Sequence, residues 1–498
     1  MANPLRSGVE LYKRWSLWHA LVTVALVAGV VRLLAVGSLP LVISNDSAAG
    51  YLLWGESIAD GHFAEIGLPK YRTPGYPLLI GATFALFGVG AIGLLIVQHL
   101  LGLAACLALT ALANRLAGPR MATVAGLLTA LDHWLLGFES AALTEAPATC
   151  LLIFVAALAL GPRRPRVLPA FGLGAAIGVL LLVRPTFQIM IPFTLAAWLV
   201  GTWAGWRRSL VGGVAVVVGL AVTLGPWVHY RMRLYDEGPC LASGSGGVFW
   251  MGISRQNLLS LERMPDDPEI RADYAPFVGK QMTDLDLQTF YLKHAEDRKK
   301  AGVLRDWAMD SVVEHPGPYL QACLKTAGIL LNYNRECSPG NLPSELDWFV
   351  QWAATGGPEG DGITIAGPPD SVRRFSVTHR PSAFGRLLRW WSVHQIGGIP
   401  QIPVFAMTVL WILLSLFRRQ WHIVIFLGGT IAFLLVHSAL LAMYGRYMMP
   451  LCVLWYTSVA GLPGSFMMML RRRREARKQR AAATASPMAE EAPVSDPV

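Results

Sequence analysis

Long apolar runs constrain this chain more than any other feature. Stretches 16–36, 92–114, 120–137, 141–161, 167–184, 187–204, 209–228, 400–417, 422–443 and 447–469 are each rich in apolar residues. A hydrocarbon core about 30 Å thick takes roughly 20 such residues to cross as a helix. Backbone groups in that core have no water to bond, so spans of this kind are helices. The chain is 54% hydrophobic and 15% charged, against about 25% charged in a soluble domain. One further apolar run, 76–88 (YPLLIGATFALFG), follows Pro74-Gly75 and is too short to cross upright. It is expected to lie at the interface or to re-enter.

Charge gives the topology. With ten spans and the N-terminus in the cytosol, the short inner loops hold Arg115 and Arg120; Arg163, Arg164 and Arg166; Arg207 and Arg208; and Arg418 and Arg419. The short outer loops hold only Arg184 and Arg446. Counting 76–88 as a span puts the second and third clusters on the wrong side, so the positive-inside rule selects ten spans with both termini inside. The first run follows Lys13-Arg14, has no clear small-residue cleavage site after it, and reads as an uncleaved anchor. The net charge of +10 is spread between apolar runs, and no basic domain is left over for nucleic acid.

Two larger segments fall on the outer side, 37–91 and 229–399. The second has helix-like patterns near 283–300, 303–314 and 318–331, then a Gly/Pro-rich stretch at 356–369 and a basic amphipathic piece at 382–394 (SAFGRLLRWWSVH) suited to a membrane interface. After Leu470 the tail, RRRREARKQR and then an Ala/Pro/Glu-rich end, reads as a polybasic, disordered cytosolic segment over 471–498 that touches lipid. Cys106, Cys150 and Cys452 lie in apolar runs; Cys240, Cys323 and Cys337 share one polar segment, where the pattern leaves a disulfide unassigned. No CxxC or Cys/His metal spacing occurs.

Ionisable residues near membrane depth are costly and mark function by default. Here they gather on the outer side. Asp46 follows span one in SNDSAAGYLLWGESIADG, where it is either a helix cap or a catalytic group. Lys70 and Arg72 sit in KYRTPGYP. Asp132, His133, Glu139 and Glu145 flank the turn between spans three and four. Arg184 ends span five, Arg231 and Arg233 follow span seven, and Arg446 lies between spans nine and ten. The plain reading of each is structural. A lone Arg at a span end snorkels; Arg32 near the outer end of span one is read that way. Glu139 reads equally as a solvated loop residue, and Glu145 as a first-turn carboxylate favoured at a helix N-terminus. Taken together, the set suits group transfer from a lipid phosphate. A carboxylate takes a proton from an acceptor hydroxyl, and cations hold a departing phosphate.

NDSAAGYLLWGESIADG, KYRTPGYPLLIGATFALFG, ESAALTEAPA, LLVRPT, LGPWVHYRMRLYDEG and YGRYMMP, in this order, resemble the GT-C superfamily of polyprenyl-phosphate-sugar glycosyltransferases, in its protein-mannosyltransferase-like and aminoarabinose-transferase-like branch. The likeness runs over roughly residues 15–255 and returns near the end. It implies an all-α polytopic membrane protein with a seven-span module (1–228, with its first outer loop at 37–91), a large outer loop domain (229–399) and a three-span unit (400–470). It implies that Asp46 is the catalytic base. Members often carry two adjacent acids there; this chain has Asn45-Asp46-Ser47, which leaves its subfamily, and its use of a divalent cation, open.

The sequence thus reads as an inverting glycosyltransferase of the plasma or inner membrane, with its site extracytoplasmic. Asp46 deprotonates the acceptor; Lys70, Arg72, Arg184 and Arg446 hold the donor phosphate; Glu145 and Glu139 orient the acceptor or a cation. The partners are a polyprenyl-phosphate sugar, a glycan, lipid or protein acceptor, and membrane lipid. No cofactor is required by the pattern. The competing readings are a transporter or flippase for a lipid-linked sugar, which should show inverted repeats that are not seen, and a non-catalytic binding scaffold in envelope assembly.

Overall fold

The computed structural model describes residues 15–38, 41, 51–63, 72–160, 166–203, 205–235, 239–242, 245–282, 284–295, 298–331, 383, 387, 401–440 and 449–485. Among them the protein is helical, with no strand. It is a multi-pass membrane protein. Among the described residues, five helices are long and apolar enough to cross a bilayer by length and composition: Leu17–Gly37, Ala91–Ala117, Pro185–Thr202, Trp206–Leu234 and Trp421–Ala439.

The membrane bundle begins with α1 (Leu17–Ser38), the short α2 (Leu53–Ala59) and α3 (Gly75–Phe87). At 13 residues α3 is about 20 Å long, shorter than the hydrocarbon core. Then follow α4 (Ala91–Ala117), α5 (Pro119–Ala130), α6 (His133–Glu139), α7 (Glu145–Leu160), α8 (Val167–Val183), α9 (Met190–Thr202) and α10 (Trp206–Tyr235). One expected span is interrupted. Instead of a single helix over 120–137, α5 stops at Ala130 and α6 starts afresh behind Asp132. Asp132 has extended backbone and its carboxylate accepts the Leu135 N–H at 2.7 Å, the N-cap geometry that Asp favours.

Among the described residues, α8 and α10 pack against each other over the longest contact. A Cβ on Gly174 would lie 1.9 Å from the Val216 carbonyl oxygen, and one on Gly178 would lie 1.7 Å from Thr223 Oγ1. Small residues four apart let two backbones touch where lipid supplies no hydrophobic drive. This contact holds the end of α8 in place, and the end of α8 carries Arg184.

The outer segment has its own core. Helices α11 (Ser245–Arg255), α12 (Pro268–Tyr274), α13 (Asp284–Ala295), α14 (Arg298–Glu314) and α15 (Pro316–Leu331) pack around Trp250, Tyr274, Phe290, Leu304 and Trp307. Trp250 stacks on Phe290 at 4.5 Å between ring centroids, and Tyr274 meets Trp307 edge-on at 4.9 Å. The helix patterns read at 283–300, 303–314 and 318–331 correspond to α13, α14 and α15. Tyr319 fastens this unit to the bundle by donating to the Ala439 carbonyl at 2.6 Å. The stretches 356–369 and 382–394, apart from residues 383 and 387, lie outside the described residues.

Among the described residues, three helices follow: α16 (Gln401–Phe417), α17 (Trp421–Ala439) and α18 (Met449–Ala485). The last corrects the sequence reading, because residues 471–485 continue the helix and are not disordered. Arg, Lys, Gln, Glu and Ala are strong helix formers, and a helix already nucleated by the span before them is cheap to extend. Cys240 and Cys323 are both free thiols.

Candidate active site

The turn from α5 to α7 gathers most of the polar residues. Besides capping α6, Asp132 accepts a hydrogen bond from the Tyr456 hydroxyl of α18, 324 residues away in sequence. Glu145 opens α7, where a carboxylate meets the positive end of the helix. Pro147 in the same first turn is tolerated because no intrahelical N–H bond is lost there.

Arg184 is placed by the proline after it. A residue before proline is pushed out of the helical region, and Arg184 has φ −149° and ψ 97°. The helix therefore stops, and the guanidinium turns toward α7. Its Nη1 lies 2.9 Å from Glu145 Oε1 and donates to Thr144 Oγ1 at 3.3 Å. Both partners of the ion pair are buried. His437 of α17, stacked on Phe433 at 4.0 Å, lies within electrostatic reach of Arg184.

Glu139 and Arg32 behave differently from the sequence reading. Glu139 is not a solvated loop residue, and Arg32 does not snorkel. Glu139 is 0% exposed and Arg32 3%. Arg32 Nη2 lies 2.6 Å from Glu139 Oε1, and His99 Nδ1 lies 2.7 Å from Oε2. The other ring nitrogen of His99 is 3.2 Å from Ser140 Oγ. Both carboxylate oxygens of Glu139 are thus occupied, and its side chain rests on Gly102, where a Cβ would come within 1.7 Å of Oε1. Serine, histidine and glutamate in contact suggest nucleophilic chemistry, but complete burial and the arginine on the carboxylate make this a structural knot.

Arg72 stands beside α3. It is buried, and its guanidinium carbon lies 4.3 Å from the centroid of Tyr51, a cation–π distance. Tyr51 meets Tyr76 edge-on at 5.2 Å. The Tyr76 hydroxyl donates to Gln98 Oε1 at 2.9 Å, and Gln98 Nε2 donates to the carbonyls of Glu139 and Ala141, both at 3.0 Å. A second aromatic group, Trp54, Phe63, Trp227 and Tyr230, closes the space between α2 and the end of α10. Arg231, only 1% exposed, lies 5.9 Å from the Trp227 ring.

The structure therefore brings Arg184 and Glu145 together, and joins Arg72 to the turn that carries Glu145 through Tyr51, Tyr76 and Gln98. It sets Glu139 one layer behind. Asp46, Lys70 and Arg446 lie outside the described residues. Sequence reasoning passed over Gln98 and His99, although two adjacent polar residues inside the apolar run 91–117 were a visible signal. Arg231 was noted there but not chosen; its burial could not be read from PWVHYR.

Metal-like proximity occurs in the outer unit, among Glu269, Asp273 and His294. Lysines already serve both carboxylates. Lys293 Nζ lies 2.6 Å from Asp273, and Lys300 pairs with Glu269. His294 Nε2 lies 2.7 Å from the same Asp273 oxygen. This is an ion-pair clasp joining α12, α13 and α14. It depresses the Asp273 carboxyl below its ordinary value, first through the hydrogen bond from Lys293.

The comparisons with known proteins bear on the bundle. Residues 71–229 match the dolichyl-phosphate-mannose-protein mannosyltransferase family. No curated protein matches the sequence. Among solved structures, ArnT from Cupriavidus metallidurans bound to undecaprenyl phosphate is similar at 14% identity and a TM-score of 0.38, over 88% of this chain and 77% of that one. ArnT from the same organism in the apo state is similar at 16% identity and a TM-score of 0.36, over 89% and 76%.

Proposed function

We propose that the protein, whose residues 71–229 match the dolichyl-phosphate-mannose-protein mannosyltransferase family, is an inverting glycosyltransferase of the GT-C type. It moves a sugar from a polyprenyl phosphate to an acceptor hydroxyl. The observation that carries this reading is where the family match falls. Arg72, Tyr76, Gln98, Glu139, Glu145 and Arg184, which are linked in space, all lie within the matched residues 71–229. The reaction has two requirements. The acceptor hydroxyl loses a proton as its oxygen bonds to the anomeric carbon, and the bond to the lipid phosphate breaks, with the electron pair leaving on the phosphate.

Asp46 takes the proton. Arg72 and Arg184, with Lys70 and Arg446, hold the departing phosphate, and Arg231 joins them as a fifth buried or span-end cation. Glu145 orients Arg184. Glu139 is not an acceptor ligand in this scheme, since Arg32 and His99 occupy it. The reaction takes place on the extracytoplasmic face of the plasma or inner membrane, with both termini cytosolic, and the acceptor is a glycan, lipid or protein reached through the outer unit.

The test uses the purified full chain with labelled polyprenyl-phosphate sugars. Release of free polyprenyl phosphate, lost about a hundredfold or more in Asp46→Asn, is the expected result. Binding without release would mean a carrier, and normal turnover in a folded Asp46→Asn sample would return that residue to helix capping.

A further inference from the structure

We infer that Tyr76 and Gln98 are positioning residues for the donor phosphate: together they fix where Arg72 stands relative to the Glu145–Arg184 pair. The inference rests on the glycosyltransferase reading for the identity of the phosphate. The geometry is independent of it.

Gln98 is fully buried in α4, and its amide is determined at every atom. Both N–H groups are donated to carbonyls of the 139–141 turn, and the oxygen accepts from Tyr76. A flipped amide would set its oxygen against two carbonyl oxygens, so one orientation is forced. The turn it grips runs directly into Thr144 and Glu145, the two partners of Arg184. On the other side, Tyr76 braces the Tyr51 ring, and the face of Tyr51 carries Arg72. Tyr76 also has Glu145 as an electrostatic neighbour. Tyr76 and Gln98 are therefore the junction between two arginines that sequence separates by more than a hundred residues. Both side chains are fully buried.

A buried Gln that only satisfied loop carbonyls would have the same hydrogen bonds. The two roles separate in what a substitution changes. Tyr76→Phe keeps the ring and its volume and removes one oxygen; Gln98→Leu keeps the volume and removes the amide. A packing role predicts lower thermal stability with unchanged ligand affinity in the folded fraction. A positioning role predicts that folded protein binds the phosphate less well. Cations grip the phosphate before and during bond breaking, so the loss falls mainly on KM for the donor and less on kcat.

The experiment measures binding of polyprenyl phosphate to the full chain in lipid nanodiscs, and transfer kinetics in the same samples. We expect each variant to bind polyprenyl phosphate about tenfold more weakly and to raise the donor KM by a similar factor, with the acceptor KM unchanged. Folded variants that bind as tightly as the native protein would overturn the inference while leaving the transferase reading intact. Native protein that binds polyprenyl phosphate but transfers no sugar, with binding weakened in the variants, would overturn the transferase reading and support the positioning role. Native protein that binds no polyprenyl phosphate would overturn both.

Discussion

Gly75→Ala tests whether the spacing of the cations matters, because it moves one element against another without removing a functional group. Gly75 opens α3, three residues after Arg72. A Cβ there would lie 2.5 Å from the Leu182 carbonyl carbon, 2.6 Å from its oxygen and 2.7 Å from the Val183 nitrogen. These are backbone atoms and cannot rotate aside. The nearest falls about 0.9 Å short of ordinary 3.4 Å contact, so the start of α3 must lift from the end of α8 by nearly that much. Arg72 is carried by the first element, and Arg184 follows the second directly. Two effects on stability oppose each other: Ala in place of a helical Gly gains about 0.5–1 kcal/mol, and overpacking costs about 1–3 kcal/mol. Their difference is a modest destabilisation. The effect on chemistry is larger, since a misplacement of about 1 Å can cost about a hundredfold in rate. The assay pairs thermal unfolding with release of polyprenyl phosphate, and Gly172→Ala in α8 serves as control, because its Cβ meets nothing within 4 Å. We expect Gly75→Ala to lose far more transfer than stability, and Gly172→Ala to lose neither. Normal transfer in Gly75→Ala would refute the idea that Arg72 and Arg184 act on one group at a fixed separation.

The remaining predictions concern the two ion-pair clusters. Glu139→Ala leaves Arg32 buried with its carboxylate partner gone, and should destabilise the protein by about 3–5 kcal/mol, seen as a lower unfolding temperature; a near-native melt would mean that Arg32 finds water. In the outer unit the folded Asp273 carboxyl titrates below its ordinary value of 3.8 because Lys293 and His294 bond to it. A depressed carboxylate contributes stability above its unfolded value and loses that contribution as pH falls through the folded one. The α12–α13–α14 clasp, with Glu269, Lys293, Lys300 and His294 around the group, should therefore weaken only below about pH 4. Emission from Trp250 and Trp307 should report the change; loosening well above pH 4 would refute the role given to the Asp273 carboxylate.

The sequence showed some of this site and hid the rest for identifiable reasons. Glu145 and Arg184 were legible because each stands near one end of an apolar run with a proline one or two residues on, where a charge has a stated cost and a local geometry. Their pairing was not legible, since it depends on how Arg184 turns once Pro185 ends α8. Arg32 and Glu139 were misread for a related reason. Seen singly, a span-end arginine snorkels and a loop glutamate is solvated. Together, 107 residues apart, they form a buried pair, and no local pattern carries a contact at that separation. The break at Asp132 was hidden by period. The apolar run 120–137 continues across it, and only the cap, an Asp followed by an N–H three residues on, marks the new helix. The helical tail was hidden by composition, because a basic, low-hydrophobicity stretch reads as disorder unless the helix before it is taken into account.

A buried ion pair adds little net stability, because removing two charges from water costs about as much as their attraction returns. Two such pairs, Arg32–Glu139 and Arg184–Glu145, nevertheless sit at one end of this bundle. Their use lies in direction. A guanidinium held at 2.9 Å by a carboxylate and steadied by Thr144 is already aimed before a ligand arrives, and a preoriented dipole spends nothing on reorganisation when charge develops. The same pairing lowers its value as an attractant, since Glu145 cancels the charge that would draw an anion from a distance. Under the proposed function, Arg184 therefore contributes alignment of the departing phosphate more than attraction from a distance.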